Sequence, residues 1–157
     1  MGAGRDCKLM FITDSLSGRR LLVDSGAQRS ILPAQAADTV ADGHGPQMDA
    51  ANGTPIRTYG TRYVEVCFGG RCFGWDFVMA AVSCVLLGAD FLCAFNLLVD
   101  VKNCRLIDAL SFASYPCTLG GGWSALSVQH TLHWGSISAP AVRFSCSHHT
   151  HVFVCSG

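Results

Sequence analysis

Charge is scarce in this sequence: 14% of its 157 residues are Asp, Glu, Lys or Arg, and eleven acids balance eleven bases. With neither sign in excess, the composition gives no footing on a nucleic-acid backbone or an anionic membrane surface. Long apolar runs are missing too. The longest uncharged one, Phe77 to Ala89, is closed by Asp90 and falls short of the roughly 20 residues a membrane-crossing helix needs. The opening residues bring Arg5 and Asp6 before any apolar stretch, so there is no secretory h-region, and position six lacks the Ser or Thr of a myristoylation signal. This composition leads us to expect an intracellular, cytoplasmic protein or a segment of a longer polyprotein. Nine cysteines occur, an odd number, with no CxxC pair among them. Without a secretion signal they read as reduced thiols used for packing.

What is present is apolar residue, 50% of the chain, and 17 glycines. That suits one β-rich domain, which we place at residues 1–110, followed by a low-complexity, disordered tail at 111–157 that is rich in Ser, His and Cys. The domain is organised around Leu21-Leu22-Val23-Asp24-Ser25-Gly26-Ala27, a β-forming run that delivers an acid into a turn. An ionised carboxylate at the end of a buried strand costs several kcal/mol unless something shares its charge or its proton. Asp-Ser/Thr-Gly alone is a common β-turn and arises by chance in roughly one chain in fifteen of this length. Its surroundings therefore have to carry the argument.

Leu9–Thr13 and Arg20–Val23 read as a hairpin feeding Asp24, and Ser30–Pro33 as a short strand stopped by proline. The stretch from Ala34 to Gln47 reads as loop. Asn52-Gly53 favours a hairpin tip, Ile56–Phe68 and Cys72–Met79 alternate as two long strands around Gly69-Gly70-Arg71, and Val85–Leu87 is a buried strand ending at Gly88. Ala89–Phe95 reads as the one short helix, stopped by Asn96, and Leu97–Val101 and Arg105–Ala109 as the last strands. Thr118-Leu119-Gly120-Gly121-Gly122 reads as linker.

Three ordered blocks resemble the retropepsins, the aspartic proteases of retroviruses and long-terminal-repeat retrotransposons, with the Gypsy-type elements nearest. They are Leu22-Val23-Asp24-Ser25-Gly26-Ala27-Gln28 with Ile31-Leu32-Pro33, then Asn52-Gly53-Thr54-Pro55-Ile56, then Leu87-Gly88-Ala89-Asp90-Phe91-Leu92 running into Leu98-Val99-Asp100. The resemblance spans roughly Leu9 to Ala109. It implies an all-β, closed half-barrel with one short helix that works as a homodimer, each chain supplying one catalytic Asp24. It further implies Ser25, Gly26 and Ala27 as the active-site turn, Ala51, Asn52, Gly53 and Thr54 as the tip of a substrate-covering flap, and Leu86, Leu87 and Gly88 as support beneath the turn. The implied activity is endoproteolysis of a retrotransposon polyprotein, with a peptide substrate, no cofactor or metal, and no membrane or nucleic-acid partner. One departure stands out: no basic residue follows Gly88, where viral enzymes carry an arginine. Arg29 and Asp90 offer the same tie with the charges exchanged, provided they stand within hydrogen-bonding distance.

Two other readings belong to different classes. A retropepsin-shaped dimerisation or peptide-binding module that no longer cuts would share every block but the chemistry. The tail cluster Cys146, His148, His149, His151 and Cys155, with His130 and His133, offers zinc donors without matching a closed four-ligand spacing. A metal or nucleic-acid module built on it is the weaker alternative.

Overall fold

The computed structural model describes residues 9–40, 45–50 and 52–120. Strands dominate: β1 Leu9–Thr13, β2 Arg20–Val23, β3 Ile31–Pro33, β4 Met48–Asp49, β5 Pro55–Ile56, β6 Thr58–Phe68, β7 Arg71–Ala80, β8 Val85–Leu87, β9 Leu97–Asp100, β10 Arg105–Asp108, β11 Ser114–Pro116 and β12 Thr118–Gly120. Two short helices interrupt them, α1 Ala36–Val40 and α2 Ala89–Ala94. The first falls in the stretch read as loop. Its Ala-rich text is helix-compatible, and the Asp38 carboxylate, which accepts the Gln35 N–H at 2.7 Å and pairs with Arg62 from β6, supplies the tertiary contact that periodicity alone lacked.

Seven strands pair in the order β12-β1-β2-β8-β3-β7-β6, with a three-stranded sheet β11-β10-β9 and a two-stranded one β4-β5 beside them. Among the described residues the large sheet ends on β12 and β6, with no pairing between those two strands. The long strand expected from Ile56 is divided. The break falls at Arg57, between β5 and β6, and just inside β6 Gly60 takes φ +101° as the register slips between Thr58 and Thr61 in a bulge. The β6-β7 pair turns at Gly69 and Gly70, whose φ values of +60° and +73° suit a two-residue hairpin of the twist-matched type.

Strand pairing continues past residue 110, where the sequence reading placed the start of the tail. Ser114–Pro116 pairs with β10, and Thr118–Gly120, read as linker, pairs antiparallel with β1. Three residues carry too little pattern to register as a strand, and it is the open edge of β1 that orders them. The zinc-donor cluster and the rest of the tail lie outside the described residues.

Side-chain alternation splits the apolar residues between the two faces of the sheet. Met10, Ile12, Leu21, Val23, Val85 and Leu87 enter the main core with Phe73, Phe77, Phe91, Leu106 and Tyr115. Phe11, Leu22, Ile31, Ala80 and Leu86 form a second cluster on the opposite face. Asp14 fastens the β1-β2 loop to β6: it is 4% exposed and accepts the N–H groups of Leu16, Ser17 and Cys67 at 3.2, 3.0 and 2.8 Å. Burial works to raise its pKa, but the hydrogen bonds from Ser17, Cys67 and Leu16 outweigh it and hold the carboxyl below its ordinary range. The reduced-thiol expectation fails at Cys67 and Cys72. They stand directly opposite each other across the β6-β7 hairpin and are joined as a disulfide, a proximity that only the register creates. Cys84, Cys104 and Cys117 are free.

Candidate active site

Asp24 sits where β2 gives way to its turn. Its N–H donates to the Leu87 carbonyl at 3.0 Å, extending the parallel β2-β8 ladder by one bond, and its carboxylate accepts the Gly26 N–H at 2.9 Å. Leu22 belongs to the second apolar cluster while Leu21 and Val23 belong to the core, so alternation puts Asp24 on Leu22's face. Asp24 is half-buried as a residue, but the hydrogen bond its carboxylate accepts is solvent-exposed, and among the described residues the Gly26 N–H is its one hydrogen-bond partner. Ser25 and Gly26 are exposed at the turn's tip, and Ala27 packs half-buried against the second cluster.

The support residues do three different things. Leu87 is fully buried in the main core, whereas Leu86, directly beside Leu22 in the ladder, faces the Asp24 side. Gly88 lies against the backbone of the turn. A Cβ there would stand 2.6 Å from the carbonyl carbon and oxygen of Arg29 and 2.9 Å from the Ala27 oxygen. The close approach lets the Ala89 N–H reach the Ala27 carbonyl at 2.7 Å and the Asp90 N–H reach the Gln28 carbonyl at 3.3 Å. Two loops distant in sequence are thereby locked together.

Sequence reasoning missed the residue at the centre of that lock. The Ser30 hydroxyl, fully buried, accepts the Gly88 N–H at 2.9 Å and donates to the Asp90 carboxylate at 2.7 Å. Trp75, on β7, donates its indole N–H to the same carboxylate at 3.2 Å. The expected Arg29–Asp90 hydrogen bond is not made: Arg29 Nε stands 3.8 Å away, an ion pair with Arg29's side chain half-exposed, and the hydrogen-bonding tie comes from Ser30 and Trp75 instead. The one available hint was that Ser30 adjoins a strand opposite Gly88, and pairing Ser30 with Asp90 requires knowing that sixty residues of intervening chain fold back.

The 48–56 hairpin covers the same face. Met48 and Ile56 pack against the second cluster, and the tip is tightened by the Gly53 N–H to the Ala50 carbonyl at 2.8 Å and the Thr54 N–H to Asn52 Oδ1 at 3.0 Å, with Gly53 at φ +79°. Ala51, named with the tip residues, lies outside the described residues. Val82 and Cys84 complete the half-buried apolar rim, and burial pushes the Cys84 thiol pKa up, which keeps it a neutral wall group. A cavity of about 290 Å³ opens elsewhere, on the core side of the sheet beside Leu21, Leu32 and Val85, and does not include Asp24. Glu65, Cys67 and Cys72 bring three metal-type donors together, but both sulfurs are already bonded to each other.

No family model and no curated protein matches the chain. The solved structures it is similar to include a retroviral protease-like domain and a retroviral protease. The retroviral protease-like domain of Ddi1 from Leishmania major is 21% identical, covering 71% of this chain and 93% of that one at a TM-score of 0.48. The EIAV protease complexed with the inhibitor HBY-793 is 18% identical, covering 61% of this chain and 95% of its own at a TM-score of 0.41. Among the described residues no helix is long and apolar enough to cross a membrane.

Proposed function

We propose that this chain is half of a retropepsin-type aspartic endopeptidase, completed when a second copy brings its own Asp24 alongside, and that it processes a retrotransposon polyprotein. The observation that carries the reading is the state of Asp24: a half-buried residue beside an apolar cluster whose solvent-facing carboxylate is positioned by one backbone N–H and otherwise unpartnered among the described residues. A structural acid is normally surrounded by donors, as Asp14 and Asp90 are here. An acid left open on one side, on a turn locked from beneath, is built to meet something.

Two such carboxylates facing each other cannot both ionise cheaply, so the pair holds one proton between them. The ionised member takes a proton from a water lying between the two as that water attacks the scissile carbonyl. The protonated member polarises the carbonyl oxygen, and the proton gained by the dyad goes to the leaving amine. Closure of the 48–56 hairpin over bound peptide excludes bulk water and strengthens these interactions. Ser25, exposed at the tip of the turn, is placed to bond the partner's turn and hold the two acids in register.

The test is peptide cleavage by the wild type and by Asp24→Asn across pH and protein concentration. The expected result is a bell-shaped pH profile, a steep dependence on concentration, and a loss of about 10²–10⁴ in rate for Asp24→Asn. Cleavage that survives the substitution overturns the assignment. Dimerisation without cleavage in either protein leaves the non-cutting module as the function.

A further inference from the structure

The β6-β7 hairpin gathers reactive groups at its turn. Val64, Val66 and Phe68 of β6 and Phe73, Trp75 and Phe77 of β7 belong to the main core, so alternation puts Glu65, Cys67 and Cys72 together on the hairpin's other face. One ligating atom from each lies within 4.8 Å of the other two, and Glu65 Oε1 stands 3.8 Å from Cys67 Sγ. Glu65 and Cys72 are exposed, which leaves a path from solvent to the buried Cys67. Cys67 and Cys72 are separated by Phe68-Gly69-Gly70-Arg71, a spacing that paired zinc-binding cysteines use.

We propose that Glu65, Cys67 and Cys72 form a redox-gated site for a zinc-type divalent cation, closed as a disulfide in the oxidised chain and metal-binding in the reduced one. A dithiol reductant supplies two electrons and two protons, splits the Cys67–Cys72 bond into two thiols and leaves as its own disulfide. Cation binding then releases both thiol protons to solvent and leaves two thiolates and one carboxylate on the metal, with water in the fourth position. Zn–S bonds of about 2.3 Å and a Zn–O bond of about 2.1 Å set the two sulfurs about 3.8 Å apart and each sulfur about 3.6 Å from the oxygen. The Glu65–Cys67 separation already matches, and the freed sulfurs have only to part by side-chain rotation. The charges agree as well. Asp38, Asp90, Asp100 and Asp108 each have an Arg partner, whereas Glu65 has none among the described residues. Arg71, at the turn itself, lies over the Phe73 ring on the core face and pairs with Asp108. Two thiolates select a zinc-type ion over magnesium or calcium.

Either link secures the same point of the fold. The Cys67 carbonyl accepts the Ser15 N–H at 2.7 Å and the Ser15 hydroxyl at 3.0 Å, and the Cys67 N–H donates to Asp14 at 2.8 Å. The β1-β2 loop therefore docks on the residue that the disulfide or the metal holds to β7. A chain moved from oxidising to reducing surroundings exchanges one cross-link for the other at this point. The site stands independently of the protease reading.

The test titrates the full-length chain with cobalt(II), a coloured probe for zinc sites, after reduction by a phosphine that is then removed. The wild type is compared with Cys67→Ser/Cys72→Ser. Both lack the disulfide and share every other Cys and His, so the difference between them reports this site alone. We expect the wild type to take up one further equivalent of cobalt with a thiolate-to-cobalt charge-transfer band, to give it up to zinc, and to lose it in the oxidised chain. Glu65→Gln should keep the band and weaken binding at least about tenfold. A second readout needs no substitution: zinc should slow iodoacetamide labelling of Cys67 and Cys72 in the reduced wild type at least about tenfold, as mapped by peptide mass spectrometry. Equal cobalt uptake by the two chains, or labelling of both cysteines indifferent to zinc, overturns the site. Uptake that persists in the oxidised chain overturns the gating, and unchanged affinity in Glu65→Gln overturns Glu65 as a ligand.

Discussion

Replacing Gly88 with alanine isolates the lock beneath Asp24 from every other feature of the fold. Gly88 has φ −89° and ψ −178°, extended backbone that any residue adopts, so alanine there meets no conformational penalty and its whole cost is steric. The added methyl would stand 2.6 Å from Arg29's carbonyl group and 2.9 Å from Ala27's oxygen, all backbone atoms with no side chain to swing away. Overpacking of this kind costs about 1–3 kcal/mol. Making room by shifting the 27–29 segment also breaks the bonds from Ala89 and Asp90, worth about 1 kcal/mol each. The expected total is about 3–5 kcal/mol.

Two other glycines calibrate it. Gly53→Ala meets nothing within 4 Å but must hold φ +79°, which costs about 1–2 kcal/mol. Gly74→Ala nominally collides hardest, at 1.8 Å from the Tyr63 hydroxyl, yet Tyr63 is 66% exposed and its ring can swing outward, so the cost stays below about 1 kcal/mol. In urea unfolding, with a slope near 2 kcal/mol per molar, Gly88→Ala should lower the midpoint by about 2 M and the other two by less than about 1 M. A midpoint loss for Gly88→Ala no larger than that for Gly53→Ala would refute the claim that close backbone contact holds the Asp24 turn.

Ser30→Ala should destabilise by about 1–3 kcal/mol, because the buried Gly88 N–H loses its acceptor and Asp90 a donor. A thermal melt should show this as a drop of at least about 4 °C, and an unchanged Tm would remove Ser30 from the lock. Hydrogen bonds from the Asn103 side chain and from Arg105 hold Asp100 at a pKa of about 2. Because the folded value lies below the unfolded one, Asp100's contribution is complete above about pH 4 and is lost as pH falls through about 2. Asp100→Asn should flatten that part of the stability profile, as read from urea midpoints taken between those pH values. Reducing the Cys67–Cys72 disulfide should cost about 2 kcal/mol, given the short loop it closes. Calorimetry with and without reductant, using Cys67→Ser/Cys72→Ser as the reference, checks it, and a reductant effect that persists in the double variant would place the sensitivity elsewhere.

Much of the local structure was legible because local chemistry dictates it. Short apolar runs bounded by turn residues placed Leu9–Thr13, Arg20–Val23 and Val85–Leu87, and Asn96 ended α2 as an αL residue at φ +53°. What escaped was decided by partners far along the chain. Helix α1 needed Arg62, β12 needed the open edge of β1, and the Cys67–Cys72 bond needed the β6-β7 register.

The same division runs through the candidate site. The sequence by itself determined that Asp24 ends an apolar strand in a Gly-containing turn, because β-propensity and turn chemistry act over a few residues. Only the tertiary structure decided what holds that turn. Ser30, Trp75, Gly88 and Asp90 meet because β2 and β3 both flank β8, bringing residues sixty positions apart to within a hydrogen bond. It likewise decided that Asp90 takes its hydrogen bonds from Ser30 and Trp75 rather than Arg29, since donor distance follows from packing and residue type alone does not supply it.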